Sequence, residues 1–198
     1  RVIALVVQPG VEFGHTDIIH FDAERAKALS QTLDAYPGIV FEAHSTDYQT
    51  PEALRALVEH GFSILKVGPW LTFALREALY ALDAVADVLD GHPPRGEFMS
   101  AMEEIMTGAP ENWQKYYEGN SNELWLQRHF SYSDRIRYYW PNPAAEAQVT
   151  RLRTRLGERH IPGPVLNQYL PIAKGEQFEE ILLSSIEQVL KKYEAACF

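Results

Sequence analysis

Glu42 and His44 stand two residues apart in a run of strand-forming residues, so on an extended strand their side chains leave the same face. With Glu12 or His15 from the end of a neighbouring strand, they would offer the nitrogen and oxygen ligands that zinc accepts, with one position left open. A divalent ion held there, zinc first, would polarise a ketose carbonyl and stabilise the enediolate left when a carbon–carbon bond breaks. His15, Glu42 and His44 are therefore the expected metal set. Asp47 is the proton-transfer candidate, and Glu12 and Lys66 complete the catalytic group. The plainer alternative is that Glu42 and His44 are hydrogen-bonded packing residues near the rim of a sheet.

Lys66 interrupts an apolar strand. It would hold a phosphate, neutralise an enolate or form a Schiff base; otherwise it pairs with Glu42. Gln8 and Ser45, at the ends of the first two strands, are expected to touch substrate. Arg135 and Arg137, flanked by Ser131, Tyr132 and Ser133, make a local cationic spot whose guanidinium forks and neighbouring hydroxyls suit a sugar phosphate. They suit a salt-bridged contact between subdomains equally well. Gln168, between Pro164 and Pro171, lies in an expected rigid loop that reaches the substrate or anchors the chain. There is no glycine-rich phosphate loop, dinucleotide fingerprint or serine elbow, so no nucleotide cofactor is expected.

The elements that must position these groups are legible as strand–helix alternation. Val2–Val7 is a continuous apolar run of the kind found in parallel strands buried on both faces. A helix follows from the N-cap Asp22, with Ala26, Leu29 and Leu33 on one side. Residues 39–43 read as a second strand. Thr50-Pro51 opens a helix carrying Leu54, Leu57 and Val58. Residues 63–67 read as a third strand, and a long helix follows with Leu71, Leu75, Leu79, Leu82, Val85 and Leu89 at helical spacing. Beyond Gly91-His92-Pro93-Pro94 the pattern turns helical, at about residues 97–107, 111–117, 143–156 and 177–193. Two regions are expected, 1–92 with the strand–helix units and 93–198 mainly helical.

Composition narrows the partners. The chain has 198 residues, 46% hydrophobic and 23% charged, with net charge −9. That charge disfavours nucleic acid and anionic membrane surfaces, and no stretch is apolar enough for a bilayer span. Cys197 is the lone cysteine, which excludes a disulfide framework and makes a reducing, cytoplasmic setting the expectation. The chain opens on Arg1 and runs directly into a strand, so further sequence is expected upstream. Three parallel units alone leave long bare edges. A (β/α)8 TIM barrel takes about 250 residues and eight such units, so the α/β segment reads as the last units of such a barrel plus a helical C-terminal region.

Long motifs carry a family resemblance: Val6–Phe13, Glu42–Thr50, Ile64–Pro69 followed by Leu71–Ala78, Ser133–Pro141 and Gln168–Pro171. In this order, over almost the whole chain, they resemble the GatZ/KbaZ family of tagatose-bisphosphate aldolase subunits. The resemblance implies a TIM barrel in chains roughly double this length. It also implies association with a separate, zinc-dependent class II aldolase subunit whose activity and stability the family member supports. The implied reaction is reversible cleavage of D-tagatose 1,6-bisphosphate in galactitol or N-acetylgalactosamine breakdown. Older labels call such proteins tagatose-6-phosphate kinases, and some relatives are described as ketose or ketose-phosphate 4-epimerases. The first expectation is thus a non-catalytic subunit, with a sugar phosphate and the aldolase as partners. The second is a metal-dependent 4-epimerase working by retro-aldol and aldol steps. Both are compatible with a homo-oligomer.

Overall fold

Strand β1 (Ala4–Val7) is followed by two very short strands, β2 (Glu12–Phe13) and β3 (Ile18–Ile19), which pair antiparallel as Glu12↔Ile19 and Phe13↔Ile18. The computed structural model to which they belong describes residues 2–198. Helix α1 (Ala23–Gln31) begins where the Asp22 carboxylate accepts hydrogen bonds from the backbone N–H groups of Glu24 and Arg25. Capping of this kind satisfies donors that have no partner inside a helix. Strand β4 (Val40–Ala43) comes next, then α2 (Pro51–Glu59), capped by Thr50 Oγ1 accepting from Ala53 N. Gly61, at a φ of +94°, ends α2; a β-carbon there would stand 2.6 Å from Leu33 Cδ1. Strand β5 (Ile64–Leu65) follows.

The three longer-range strands form a parallel sheet in the order β1-β4-β5, in the register Val7↔Ala43↔Leu65 and Val6↔Glu42↔Ile64. Alternation gives β4 two unlike faces, whereas Leu5 (48% exposed) and Val6 of β1 are both exposed. Phe41 and Ala43 are buried, with Phe41 stacked on Phe62 at 5.5 Å beside the buried Leu54 and Leu57. Val6 (61% exposed), Glu42 and Ile64 (38%) lie on the other face, which is open.

Helix α3 (Trp70–Leu89) opens the helical part, followed by α4 (Glu97–Gly108), α5 (Ser121–Phe130), α6 (Pro143–Leu156), α7 (Gly163–Tyr169) and α8 (Phe178–Cys197). Leu79, Leu82, Val85 and Ala86 of α3 share a dry core with Phe98, Met102 and Met106 of α4, Ile136, and Leu152 and Leu156 of α6. The chain divides into two compact units: residues up to 71 together with 189–198, and residues 72–188. The sequence pattern changes at residue 92, whereas compactness changes within α3. The reason is that the apolar stripe of α3 is spent on the helices that follow it in the chain.

Helices α4 and α6 match the expected segments, and α8 begins and ends close to its own. The expected helix at 111–117 is instead a 3-10 turn, Pro110–Asn112, followed by turns, with the Trp113 indole donating to Met106 O at 2.7 Å. Helices α5 and α7 and the β2–β3 pair were not expected. No helix among the described residues is long and apolar enough to cross a membrane.

Candidate functional site

The register of the parallel sheet aligns Gln8, His44 and Lys66 as the residues that follow the last paired positions, Val7, Ala43 and Leu65. All three are exposed at the carboxyl ends of the strands. Backbone bonds hold the row: His44 N donates to Val7 O at 3.0 Å, and Lys66 N donates to Ala43 O at 3.1 Å. By strand parity the row continues the open face marked by Val6, Glu42 and Ile64. Lys66 Nζ lies 3.3 Å from His44 Nε2, and His44 Nδ1 lies 3.1 Å from Ser45 Oγ. An ammonium has only donors, so this geometry fits the neutral imidazole with Nε2 accepting and Nδ1–H donating to Ser45. Lys66 therefore meets His44, and not Glu42 as the alternative reading had it. Gln8 Nε2 donates to Glu12 Oε2 and to Val11 O, both at 2.8 Å.

The loop after His44 is held from several sides. Ser45 (φ 59°) and Tyr48 (φ 62°) both take the left-handed conformation, which residues other than glycine adopt only when their surroundings enforce it. Thr46 Oγ1 donates to Lys66 O at 2.9 Å, and the Tyr193 hydroxyl donates to Thr46 O at 2.9 Å. The Asp47 carboxylate is buried and accepts from Gly68 N and Trp70 N, both at 2.9 Å. Gln49 bonds Ile19 O and Phe21 N.

The sequence-predicted residues thus separate. Structure brings His44, Ser45 and Lys66 together, and Gln8 with Glu12. Asp47 is placed as an anchor for the first turn of α3. Glu42 is half-buried within β4, and His15 lies in the turn between β2 and β3. His15, Glu42 and His44 do not gather into a zinc site: among the described residues no three His, Cys, Asp or Glu side chains are grouped to hold a metal ion. The reason is topological. His15 belongs to the β2–β3 ribbon, which forms its own sheet and does not extend the parallel one.

Arg135 and Arg137 lie in the helical unit and use their guanidinium donors locally. Arg135 Nε bonds Asn112 O, and its guanidinium carbon stands 3.4 Å from the centre of the Tyr116 ring. Arg137 bonds the carbonyls of Ser133 and Asp134 and the Tyr138 hydroxyl. They hold the 131–139 segment in shape. Gln168 is exposed on α7, not in a loop.

Sequence reasoning missed a buried polar network in this unit. Tyr80 OH lies 2.6 Å from His129 Nδ1, and His129 Nε2 lies 3.1 Å from Glu103 Oε2, which also receives Arg128. Burial pushes His129 down to about 4 despite Glu103, so the neutral ring donates Nε2–H to the carboxylate and accepts from Tyr80. Next to it, Arg76 Nε is 3.0 Å from Asp134 Oδ1, and Thr72 donates to Asp134 Oδ2 at 2.7 Å. Burial raises Asp134 against the pull of Arg76. Such groups carry no periodic signal in the sequence.

Taken together, the chain is a mixed α/β protein whose parallel strands present a histidine–lysine pair at their carboxyl ends. It belongs to the D-tagatose-1,6-bisphosphate aldolase subunit GatZ/KbaZ-like family, whose model matches residues 1–198. It is 52% identical, over 99% of its length, to a D-tagatose 6-phosphate 4-epimerase of Agrobacterium fabrum, of which it covers 47%. A crystal structure described as a probable tagatose 6 phosphate kinase from Sinorhizobium meliloti 1021 superposes with a TM-score of 0.95 at 50% identity, over 100% of this chain and 53% of that one. The chain therefore spans about half the length of these relatives.

Proposed function

We propose that this chain forms part of a sugar-phosphate enzyme that inverts the configuration at C4 of a ketose 6-phosphate, interconverting tagatose and fructose forms. The observation that carries the reading is the exposed row Gln8, His44 and Lys66, aligned by strand register where parallel sheets bind their ligands. The name of the Agrobacterium relative points to the same chemistry. The three parallel strands, with an open polar-ended face, are read as closing strands of a (β/α)8 barrel, the open face being its interior.

In this reading the Lys66 ammonium turns from His44 Nε2 to the sugar's C2 oxygen, and the freed Nε2 takes the proton of the C4 hydroxyl. The C3–C4 bond breaks, its electron pair passes to an enediolate over C2 and C3, and C4 becomes an aldehyde. The Lys66 ammonium faces the enediolate oxygen and stabilises the charge that develops there. After the aldehyde turns, C3 attacks its opposite face, the bond re-forms, and His44 returns the proton to the new hydroxyl. Atoms and electrons balance without an oxidant or reductant. Gln8 and Ser45 orient sugar hydroxyls. A divalent metal would supply Lewis-acid stabilisation, but the described residues do not gather a ligand set for it, so no step here runs through one.

The test uses the full-length protein with tagatose 6-phosphate. His44→Ala and Lys66→Ala should each lower turnover by roughly 10²–10⁴-fold. Turnover indifferent to both substitutions sinks the reading. A second reading, a non-catalytic subunit that stabilises a class II aldolase in sugar catabolism in the cytoplasm, is favoured by the family's description. It expects no turnover alone and a rise in aldolase activity on mixing, with His44→Ala as effective as the parent.

A further inference from the structure

We infer that Tyr193, near the end of α8, is a positioning residue for the strand-end site, setting the spacing of His44 and Lys66 through Thr46. The inference rests on the reading of that row as the reaction centre, and deepens it. Tyr193 is 8% exposed, and its hydroxyl is turned to Thr46: it donates to Thr46 O at 2.9 Å and lies 3.2 Å from Thr46 Oγ1. Thr46 Oγ1 in turn donates to Lys66 O at 2.9 Å. One buried threonine is thus clamped between a phenol 147 positions away and the backbone of the lysine.

Three features make this more than packing. First, the lysine's peptide is held at both ends, its N–H on Ala43 O and its carbonyl on Thr46, so the base of its side chain has little freedom. Second, Ser45, between His44 and Thr46, is left-handed; this conformation is unfavourable for serine, and Thr46 must be held for it to persist. If Thr46 relaxes, Ser45 Oγ moves from His44 Nδ1, and the tautomer that keeps Nε2 toward Lys66 loses its support. Third, the ring of Tyr193 is itself oriented by the Trp70 indole at 5.9 Å, edge to face; the bond from Arg55 to Ala195 O at 3.0 Å holds the helix end beyond Tyr193 and is no part of this chain of contacts. Burial raises the phenol above its ordinary range, so it stays a donor throughout the working pH range.

The experiment compares Tyr193→Phe with Arg55→Ala in the full-length protein. The first removes only the hydroxyl; the second loosens the same helix end without touching Thr46. For Tyr193→Phe, kcat should fall about tenfold with KM changed by less than about twofold, because misplacement of the reacting groups acts on the transition state. The imidazole titration of His44, followed by NMR, should shift in Tyr193→Phe and match the parent in Arg55→Ala. Thr46→Ser should retain the parent's kcat, whereas Thr46→Val should repeat the loss. A Tyr193→Phe variant with the parent's kcat and the parent's His44 titration overturns the inference, even if its Tm drops. If His44→Ala also leaves kcat unchanged, the reaction-centre reading falls separately, and the imidazole titration alone decides on Tyr193.

Discussion

His129 shows how strongly one side chain's surroundings bear on the whole fold. Its ring is fully buried between Tyr80 and Glu103, with Arg128 and Arg76 close enough to oppose a further positive charge. The folded protein holds the proton only below about 4, while the unfolded chain takes it up near the ordinary value of 6.5. Between those values the unfolded state binds more protons, so stability rises with pH across that window and falls as pH is lowered through it. The contribution is fully present above pH 6.5 and amounts to at most about 3 kcal/mol. Asp134, raised by burial, works in the opposite direction, since it disfavours the anion in the fold. Urea unfolding of the parent and of His129→Gln at pH 7 and pH 4.5 separates the two. The parent should lose more stability over that interval than the variant; equal losses would refute the assignment.

Among the elements, α3 depends on a residue outside it. Its first turn has donors without intrahelical partners, and Asp47 accepts two of the backbone N–H bonds in this region, from Gly68 and Trp70. Hydrogen bonds to a buried carboxylate are of the stronger kind, so Asp47→Ala should cost about 2–4 kcal/mol, read as a lower urea midpoint at an unchanged slope. Asp47→Asn keeps one acceptor and should recover part of the loss. A proton-transfer role would instead lower turnover while leaving the midpoint in place. Gly68 adds a check, since a β-carbon there would stand 3.1 Å from Asp47 Oδ2 and force the carboxylate to give. This role was not legible in the sequence, because Asp47 and Trp70 are joined only by folding. What was legible followed local rules: Asp22 and the Thr50-Pro51 pair mark helix starts, and the side chains of Asp22 and Thr50 accept the expected backbone N–H groups. Helix α5 escaped although Asn120 and Glu123 form a capping box, because its buried side chains are Arg128 and His129 rather than a hydrophobic stripe. The β2–β3 ribbon is two residues a side, too short for alternation to register. The candidate site was legible only as a set of residue types at strand ends; their division into exposed row and buried anchors was not, since both are polar.

At the scale of the whole molecule, the decisive feature is the open face of the parallel sheet. Val6 is 61% exposed and Ile64 38%, on the same face as Glu42 and ahead of the row Gln8, His44 and Lys66. Apolar side chains at in-register positions of the two outer strands, flanking Glu42 of the central one, fit a sheet covered on both faces. With relatives about twice as long, the proposal of a closed barrel gives that face its cover: Val6 and Ile64 become interior layers beneath the site. Exposure in this span and burial in the barrel predict different costs for one substitution. At a solvated position, Val6→Asp should change stability by less than about 0.5 kcal/mol. In a packed interior it places a second carboxylate beside Glu42, its in-register neighbour, and the cost should exceed about 3 kcal/mol. We expect the larger value in the full-length protein, together with reduced turnover, because a charge one layer below His44 disturbs the field that the proposed proton transfer needs. A full-length Val6→Asp protein as stable as the parent would leave the sheet open and remove the enclosed site that the proposed C4 inversion requires.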